Sequence, residues 1–253
     1  MNRSKEKYYF REENFIMIYL TGDTHGNFSK LRQFAASDDG SRLTKKDYVI
    51  VLGDFGVWSD TVKDISQLDS ELPFTLMFLD GNHEDFGLLS SMPEKRMFGG
   101  IVRDLGGVYH LKRGEVYDIL DGDGIKTLAV CGGGTSRDRE MRTKGVDWFP
   151  EEEITEDDVS HMLDNVARRG GKADAFLSHS PSSEVKFELF AEASFSRHKP
   201  AVGFIPSENE YRIRNMIGKI ETPLCFSGHE HIDRKLTFSG KEYIIVYNAF
   251  IKL

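Results

Sequence analysis

The stretch Tyr48-Val-Ile-Val-Leu-Gly-Asp-Phe-Gly56 joins a short apolar run to a glycine and an aspartate. Such a run, rich in β-branched residues and bounded by glycine, is typical of a buried strand that ends in a turn. The same pattern recurs at Phe15–Leu20, Phe74–Leu79, Thr127–Cys131, Ala175–Leu177, Leu224–Phe226 and Tyr243–Tyr247. Helical segments lie between these runs, and the alternation predicts an α/β fold in which helices cover a sheet.

The segments between the apolar runs carry helix signals. We expect helices near Ser29–Ala36, Thr61–Leu72, Glu84–Ser91, Glu156–Arg169 and Glu208–Ile220. In the fourth of these, Thr155 is a suitable N-cap, Asp158 follows three residues later, and Gly170 closes the pattern. The acidic run Glu151–Asp158 is therefore interpreted as a solvated helix start rather than as a metal site.

Length and composition favour one globular domain. The chain has 253 residues, of which 39% are hydrophobic and 29% charged, so it has enough apolar material for a core. We expect a single domain over residues 15–253, preceded by a polar extension at 1–14. Residues 182–206 carry phenylalanines, charges and prolines without a clean period, and are interpreted as a loop or cap.

Charge and cysteine content narrow the partners and the location. The net charge of −8 disfavours a long polyanion as the substrate, because no overall positive field exists to hold it. The two cysteines, Cys131 and Cys225, form no disulfide framework, which fits a reducing cytosol. No apolar stretch approaches the roughly 18 to 20 residues that cross a bilayer. We therefore expect a cytoplasmic protein without a membrane span.

Five short polar motifs stand at or near the ends of the expected strands. They are Gly22-Asp-Thr-His-Gly26, Gly53-Asp-Phe-Gly56, Gly81-Asn-His-Glu84, Ser178-His-Ser-Pro181 and Gly228-His-Glu-His231, and they hold five of the eight histidines. Loops that leave the carboxyl ends of strands in an α/β sheet converge on one crevice. Turn chemistry explains any single motif equally well. The set together supplies the carboxylate, amide and imidazole donors that suit a divalent transition metal.

The number of donors indicates two metal ions. The seven candidate ligands are Asp23, His25, Asp54, Asn82, His179, His229 and His231. One ion takes about four to six ligands, whereas one shared aspartate would let the set serve a pair about 3.5–4 Å apart. The absence of cysteine from the set argues against a structural thiolate zinc site. Manganese is the first expectation for the two divalent ions, and iron and zinc also accept mixed oxygen and imidazole donors.

In this order, from Asp23 to His231, the motifs resemble the signature D-x-H, G-D, G-N-H-[DE], [ST]-H-x-P and G-H-x-H of the calcineurin-like metallophosphoesterases. The resemblance implies a four-layer αββα sandwich, with two central mixed β-sheets flanked by helices. It places Asp23, His25, Asp54 and His231 on the first metal, and Asp54, Asn82, His179 and His229 on the second, with Asp54 as the bridge. His83 matches the family's non-ligand histidine near the leaving group, and histidine suits proton donation near neutral pH. Gly132–Glu152 also resembles a stretch of small bacterial and phage-type members.

The implied activity is hydrolysis of a phosphomonoester or phosphodiester, nucleotides included, by attack of a metal-bound hydroxide. This mechanism needs no protein nucleophile, so Cys131 is not expected to be catalytic. Serine/threonine phosphatases of the superfamily carry G-D-x-V-D-R-G, whose arginine helps to bind phosphate, but Gly53–Trp58 has no arginine. Arg137, Arg139 and Arg142 are candidates for that contact, with a solvated basic loop as the alternative.

Two other functions stay open. A nuclease would use the same two ions on a longer nucleic-acid substrate, and a basic stripe beside the metals would favour it. A binding module would keep the fold without the chemistry. The intact ligand set and His83 argue against the binding module, because a degenerate site is expected to have lost at least one of these residues.

Overall fold

Two mixed β-sheets form the centre of the structure, a computed structural model that describes residues 16–121, 124–196 and 205–253. The described strands are β1 (Ile18–Thr21), β2 (Tyr48–Val51), β3 (Thr75–Phe78), β4 (Glu94–Met97), β5 (Gly100–Asp104), β6 (Tyr109–Leu111), β7 (Val116–Asp121), β8 (Gly124–Cys131), β9 (Ala175–Ser178), β10 (Leu224–Ser227), β11 (Arg234–Phe238), β12 (Lys241–Ile245) and β13 (Ile251–Lys252). The described helices are α1 (Ser29–Ala35), α2 (Val62–Glu71), α3 (Phe86–Ser91), α4 (Glu156–Ala167), α5 (Ser183–Ser196) and α6 (Glu208–Lys219).

Each sheet has a parallel centre and antiparallel edges. The first has the order β13-β1-β2-β3-β6-β5-β4, and β1, β2, β3 and β6 run parallel to one another. The second has the order β11-β12-β10-β9-β8-β7, with β12, β10, β9 and β8 parallel. The strands that precede the polar motifs therefore lie side by side within each sheet.

Alternating side chains of the central strands bury both faces of each sheet. In β2, Val49 and Val51 pack in a cluster with Leu31 of α1 and Leu68 of α2. The next residue, Ile50, points the other way, into a cluster shared by the two sheets. Because both faces are covered, these strands read as continuous apolar runs rather than as alternating ones.

The second sheet is covered in the same way. Residues of α4 and α6 pack on its outer face, among them Met162 and Ile213. Leu128 and Leu177 pack between the sheets. The layers are therefore helix, sheet, sheet and helix, and the expected four-layer αββα sandwich is confirmed. Among the described residues, no helix combines the length and the apolar character that a membrane crossing requires.

The sequence pattern did not predict every element. Strand β4 is mostly exposed and charged, so it carries no apolar signal, as is usual for a sheet edge. The segment 182–206 begins with α5, in which Lys186 is buried while Phe187 is 45% exposed, so the apolar residues do not follow one helix face. The remainder of that segment at 197–204 and the expected extension at 1–14 lie outside the described residues.

The acidic run before α4 is only partly a solvated helix start. Thr155 and Asp158 form a reciprocal capping box, as their spacing predicts. Glu152, by contrast, is fully buried, so the solvated interpretation is wrong for this residue. It ends the 3₁₀ turn Pro150–Glu152, and its carboxylate accepts hydrogen bonds from the backbone N–H and the hydroxyl of Ser136.

Candidate metal centre

The seven candidate ligands lie on loops that leave the carboxyl ends of five parallel strands. Asp23 follows β1, Asp54 follows β2, and Asn82 follows β3, and these strands are neighbours in the first sheet. From the second sheet, His179 follows β9, and His229 and His231 follow β10. Packing of one sheet on the other brings the two sets of loops together. Contacts between the loops include a backbone hydrogen bond from Gly228 N to His179 O, and His229 N donates to the side-chain Oδ1 of Asp23.

Asp23, His25 and His231 form the first donor group. His231 Nε2 lies 3.0 Å from Asp23 Oδ2 and 3.1 Å from His25 Nε2. His25 Nε2 is in turn 3.7 Å from Asp23 Oδ2. One ligand atom from each of the three lies within 4.8 Å of the others. Donors about 2.0–2.2 Å from a common ion are separated by roughly 3 to 4.4 Å, so this spacing fits one ion.

Asp54, Asn82, His179 and His229 form the second donor group. His179 Nε2 lies 3.1 Å from Asn82 Oδ1, 3.1 Å from His229 Nδ1 and 3.3 Å from Asp54 Oδ1. The other ring nitrogen of His179 donates to the carbonyl oxygen of Leu52 at 2.8 Å. Because that carbonyl can only accept, Nδ1 carries the proton, and in the neutral ring Nε2 presents its lone pair to the group.

Backbone strain is concentrated in the donor loops. His25, Asp54, His229 and His231 have φ of 48°, 46°, 67° and 51°. Residues with a Cβ rarely adopt this left-handed region, and strain of this kind collects at functional sites. Four of the seven candidate ligands are therefore held in a conformation that the chain does not favour locally.

Glycines let the donor loops approach closely. A Cβ on Gly53 would lie 2.3 Å from His179 Nδ1, and a Cβ on Gly81 would lie 2.0 Å from Asp54 Oδ1. Contacts this short are impossible for a carbon atom, so any side chain at either position would displace a donor. The glycines of these motifs are thus required by space as well as by the turn.

Glu84 anchors the loop that carries Asp54. Its buried carboxylate accepts three backbone hydrogen bonds, from Phe55 N at 2.7 Å, Gly56 N at 3.1 Å and Val57 N at 2.6 Å. The sequence showed Glu84 only as part of the Gly81–Glu84 motif and gave no sign of this structural contact. It follows that the fourth residue of this motif holds the neighbouring loop.

The pKa values of the donors are shifted by burial and by one another. Burial and the nearby His179 hold the pKa of His229 well below its usual value, which keeps its imidazole neutral. The hydrogen bond with Asp23 raises the pKa of His231. Burial opposes ionisation of Asp23, but the hydrogen bond with His231 and the charge of His179 outweigh it and hold the pKa of Asp23 well below its usual range. Asp23 is therefore a carboxylate at neutral pH.

His83 lies beside both donor groups without belonging to either. Its Nε2 is 4.0 Å from Asp54 Oδ2, and its ring centre is 5.2 Å from that of His25. Arg142 Nη1 lies 3.0 Å from His83 Nδ1, and Arg142 Nη2 lies 2.7 Å from Asp138 Oδ2. Burial and the Arg142 cation lower the pKa of His83, although Asp54 opposes the shift.

The three candidate arginines occupy different surroundings. Arg142 contacts His83, and its side chain is 19% exposed. Arg137 and Arg139 have side chains 58% and 52% exposed and lie 3.9 Å from Glu210 and 3.7 Å from Glu153. The structure therefore brings Arg142 to the motif histidine, while substrate binding by Arg137 and Arg139 stays a prediction.

The donor set fits divalent metal ions. It combines carboxylate and amide oxygens with imidazole nitrogens, the mixture that manganese, iron and zinc accept. The nitrogens His25 Nε2 and His231 Nε2 face each other at 3.1 Å, as do those of His179 and His229, an arrangement that a cation between them would stabilise. The two groups, with the strained and tightly packed loops around them, are two candidate metal-ligand sets.

Comparison with known proteins agrees with this geometry. The model of the calcineurin-like phosphoesterase family matches residues 16–233. Among solved structures, the chain is similar to the protein TT1561 of Thermus thermophilus, with a TM-score of 0.55, 11% identity, and coverage of 94% of this chain and 98% of that one.

A second similar structure is GAP50, described as the anchor in the inner membrane complex of Plasmodium, with a TM-score of 0.51, 11% identity, and coverage of 93% of this chain and 72% of that one. At such identities the likeness shows the fold alone. No curated protein matches the chain significantly. Because the family model spans most of the sequence, the chain belongs to the calcineurin-like phosphoesterase family, and with its two candidate metal-ligand groups it is a metal-dependent phosphoester hydrolase.

Proposed function

We propose that this hydrolase has a binuclear metal centre and acts on a small phosphomonoester or phosphodiester, nucleotides included. The position of Asp54 is the observation that carries the proposal. Its Oδ2 lies 3.8 Å from Nδ1 of His25, whose Nε2 belongs to the first donor group, and its Oδ1 lies 3.3 Å from His179 Nε2 in the second. A carboxylate between two donor groups is suited to bridge two ions, with manganese as the first candidate.

The two donor groups would hold the two ions side by side, with Asp54 between them. When bound, two divalent ions neutralise charge on phosphoryl oxygens and lower the pKa of a coordinated water. The protein orients their ligands from behind, as Leu52 O does for His179 and Glu84 for the Asp54 loop. Because the chemistry needs an anionic phosphoryl group close to both donor groups, it fits phosphate esters as a class.

We assign proton donation to the leaving oxygen to His83. An arginine can only donate; Arg142 Nη1 lies 3.0 Å from His83 Nδ1 and Arg142 Nη2 lies 3.4 Å from His83 Nε2, and the shorter contact favours Nδ1 as the acceptor. The proton of the neutral ring then resides on Nε2, the nitrogen 4.0 Å from the Asp54 carboxylate. Proton donation to the leaving oxygen needs the imidazolium form of His83, which burial and the Arg142 cation oppose and the Asp54 carboxylate favours, and Nε2 is the nitrogen that would give up its proton.

Arg142 is the proposed contact for the substrate phosphate. Its guanidinium is held by Asp138 at 2.7 Å and by the carbonyl oxygen of Asp147 at 3.1 Å. These contacts restrict its motion and leave it facing His83. An arginine held in this way can bind a phosphoryl oxygen at small entropic cost, because its side chain is already ordered.

Two further properties belong to the proposal. The net charge of −8 favours a small ester over a nucleic acid, because the phosphates of a long polyanion would be repelled. A cytoplasmic location is supported by the two buried cysteines, Cys131 and Cys225, which are free thiols.

Metal-free protein, reloaded with one divalent metal at a time, tests the proposal. We expect two ions per chain and hydrolysis of a small monoester or diester, with manganese the most active. Asp54→Asn should weaken both ions and abolish activity, whereas Asp164→Asn, which changes an exposed residue of α4, should change neither. Cleavage confined to single-stranded DNA would instead support a nuclease. Metal-loaded protein that hydrolyses none of these esters would contradict the proposal.

A further inference from the structure

The orientation of the Asn82 amide decides what this residue offers to the second donor group. Its Oδ1 faces His179 Nε2 at 3.1 Å, and its Nδ2 donates to Ser136 Oγ at 3.1 Å. The oxygen and the NH₂ group of an amide have nearly the same shape, so only hydrogen-bond partners distinguish the two orientations. A rotated amide would present N–H groups to the site, and these cannot bind a cation.

The hydroxyl of Ser136 determines which orientation is allowed. A hydroxyl has one proton, and that of Ser136 is directed to Glu152 Oε2 at 2.7 Å. The other oxygen of Glu152 accepts from the backbone N of Ser136, also at 2.7 Å. Since an ionised carboxylate only accepts, Ser136 Oγ has no proton left for Asn82 and can only accept from it. The NH₂ group of Asn82 must therefore face Ser136, and its oxygen must face the second donor group.

Burial makes this chain of hydrogen bonds effective. Glu152 is fully buried, and Ser136 and Asn82 are 2% and 5% exposed, so water does not compete for the three groups. Burial raises the pKa of Glu152, and the two bonds from Ser136 oppose that shift. A proton on Glu152 would let the carboxyl donate to Ser136, and the direction of the whole chain could then reverse.

The backbone around Glu152 is also tied to the Asn82 loop. Arg113 Nη2 donates to the carbonyl oxygen of Glu152 at 3.1 Å, and Arg113 Nε donates to Asp80 Oδ2 at 2.6 Å. Asp80 lies two residues before Asn82. The carbonyl of Glu152 accepts a further bond, from Gly134 N at 3.1 Å. These contacts fix the distance between the Asn82 loop and the segment that holds Glu152, and Ser136 connects the two.

We propose that Ser136 and Glu152 are positioning residues that fix the Asn82 amide with its oxygen toward the second metal ion and thereby set the affinity for that ion. The inference rests on the proposed binuclear centre. It also gives a role to Gly132–Glu152, which the metal motifs do not include. The two residues act through Asn82 and touch neither ion nor substrate.

Calorimetric titration of metal-free protein with Mn²⁺ tests the inference. Ser136→Ala should leave the affinity for the first ion unchanged and weaken the second by about 10- to 100-fold, the usual effect of removing a group that orients a ligand. Glu152→Gln should also weaken the second ion, although glutamine has the same shape as glutamate. Its NH₂ group can only donate, and it would face either the backbone N–H or the hydroxyl of Ser136. Ser183→Ala, at a buried serine whose hydroxyl has no hydrogen-bond partner, is the matched control.

A double substitution separates orientation from general damage to the fold. In an Asn82→Asp background both faces of the side chain are oxygen, so nothing needs orienting. Adding Ser136→Ala there should change the second-ion affinity by no more than about twofold, because the two positions are coupled and Asn82→Asp has already removed the need for orientation. An equal loss of second-ion affinity in both backgrounds, or no loss in Ser136→Ala alone, would overturn the inference. If the unaltered protein still bound two ions, the proposed binuclear centre would stand. A single ion in the unaltered protein would overturn both.

Discussion

Gly81→Ala tests how closely the Gly81–Glu84 loop approaches the proposed bridging carboxylate of Asp54. The added Cβ would lie 2.0 Å from Asp54 Oδ1 and 2.3 Å from Asp54 N. An ordinary carbon–oxygen contact is about 3.3 Å or longer, so the carboxylate would have to move by more than about 1 Å. Metal–ligand distances tolerate changes of about 0.2 Å. The Asp54 loop cannot move aside freely, because Glu84 holds it by three backbone hydrogen bonds.

We therefore expect Gly81→Ala to lose both ions and nearly all activity. Overpacking of this kind costs about 1–3 kcal/mol of stability, and about 2–4 °C of melting temperature per kcal/mol in a domain of this size. The assay is metal content, ester hydrolysis and thermal unfolding of the metal-free protein. Gly218→Ala in α6, where a Cβ would meet nothing within 4 Å, should keep both ions and gain up to about 1 kcal/mol. Two tightly bound ions in Gly81→Ala would refute the close approach.

Three further substitutions test separate parts of the account. His83→Ala should keep both ions and slow hydrolysis of an alkyl ester by about 10²- to 10⁴-fold, but should slow hydrolysis of a nitrophenyl ester less. His161→Ala is the control. Loss of metal together with an equal loss of rate on both esters would contradict this role of His83. Cys131→Ser should retain full activity, because burial raises the pKa of the thiol and leaves it unreactive, and inactivation with metals bound would count against it. Arg113→Met should lower the free energy of unfolding, measured in urea, by about 3–5 kcal/mol, because it leaves the buried Asp80 carboxylate without its cation. A loss below about 1 kcal/mol would disprove that role.

The parts of the fold that the sequence predicted are those with strong local signals. The strands that precede the motifs are buried on both faces, so their apolar runs are continuous and stand out. The capping box at Thr155 has an equally local signature. The edge strand β4 lacks such a signal, because solvent covers it and its residues are charged.

The candidate site also has residues that the sequence predicted and residues that it did not. Residue type and motif order predicted the seven donors, because glycine-bounded polar turns after strands are visible without knowledge of packing. Glu84, Ser136 and Glu152 act through contacts between loops distant in sequence, so no local pattern distinguishes them from surface residues. Arg142 was one of three equal candidates until packing placed it against His83. Long-range packing is thus the information that the sequence alone does not display.

Electron paramagnetic resonance of the Mn²⁺-loaded protein tests the bridged pair most directly. In such centres the two ions lie about 3.5–4 Å apart. Two Mn²⁺ ions at this distance that share the Asp54 carboxylate are exchange-coupled, and the hyperfine spacing of their spectrum is about half that of an isolated Mn²⁺ ion. We predict this coupled spectrum at two ions per chain and its loss in Asp54→Asn. A spectrum of isolated Mn²⁺ at full loading, unchanged in Asp54→Asn, would contradict the binuclear centre.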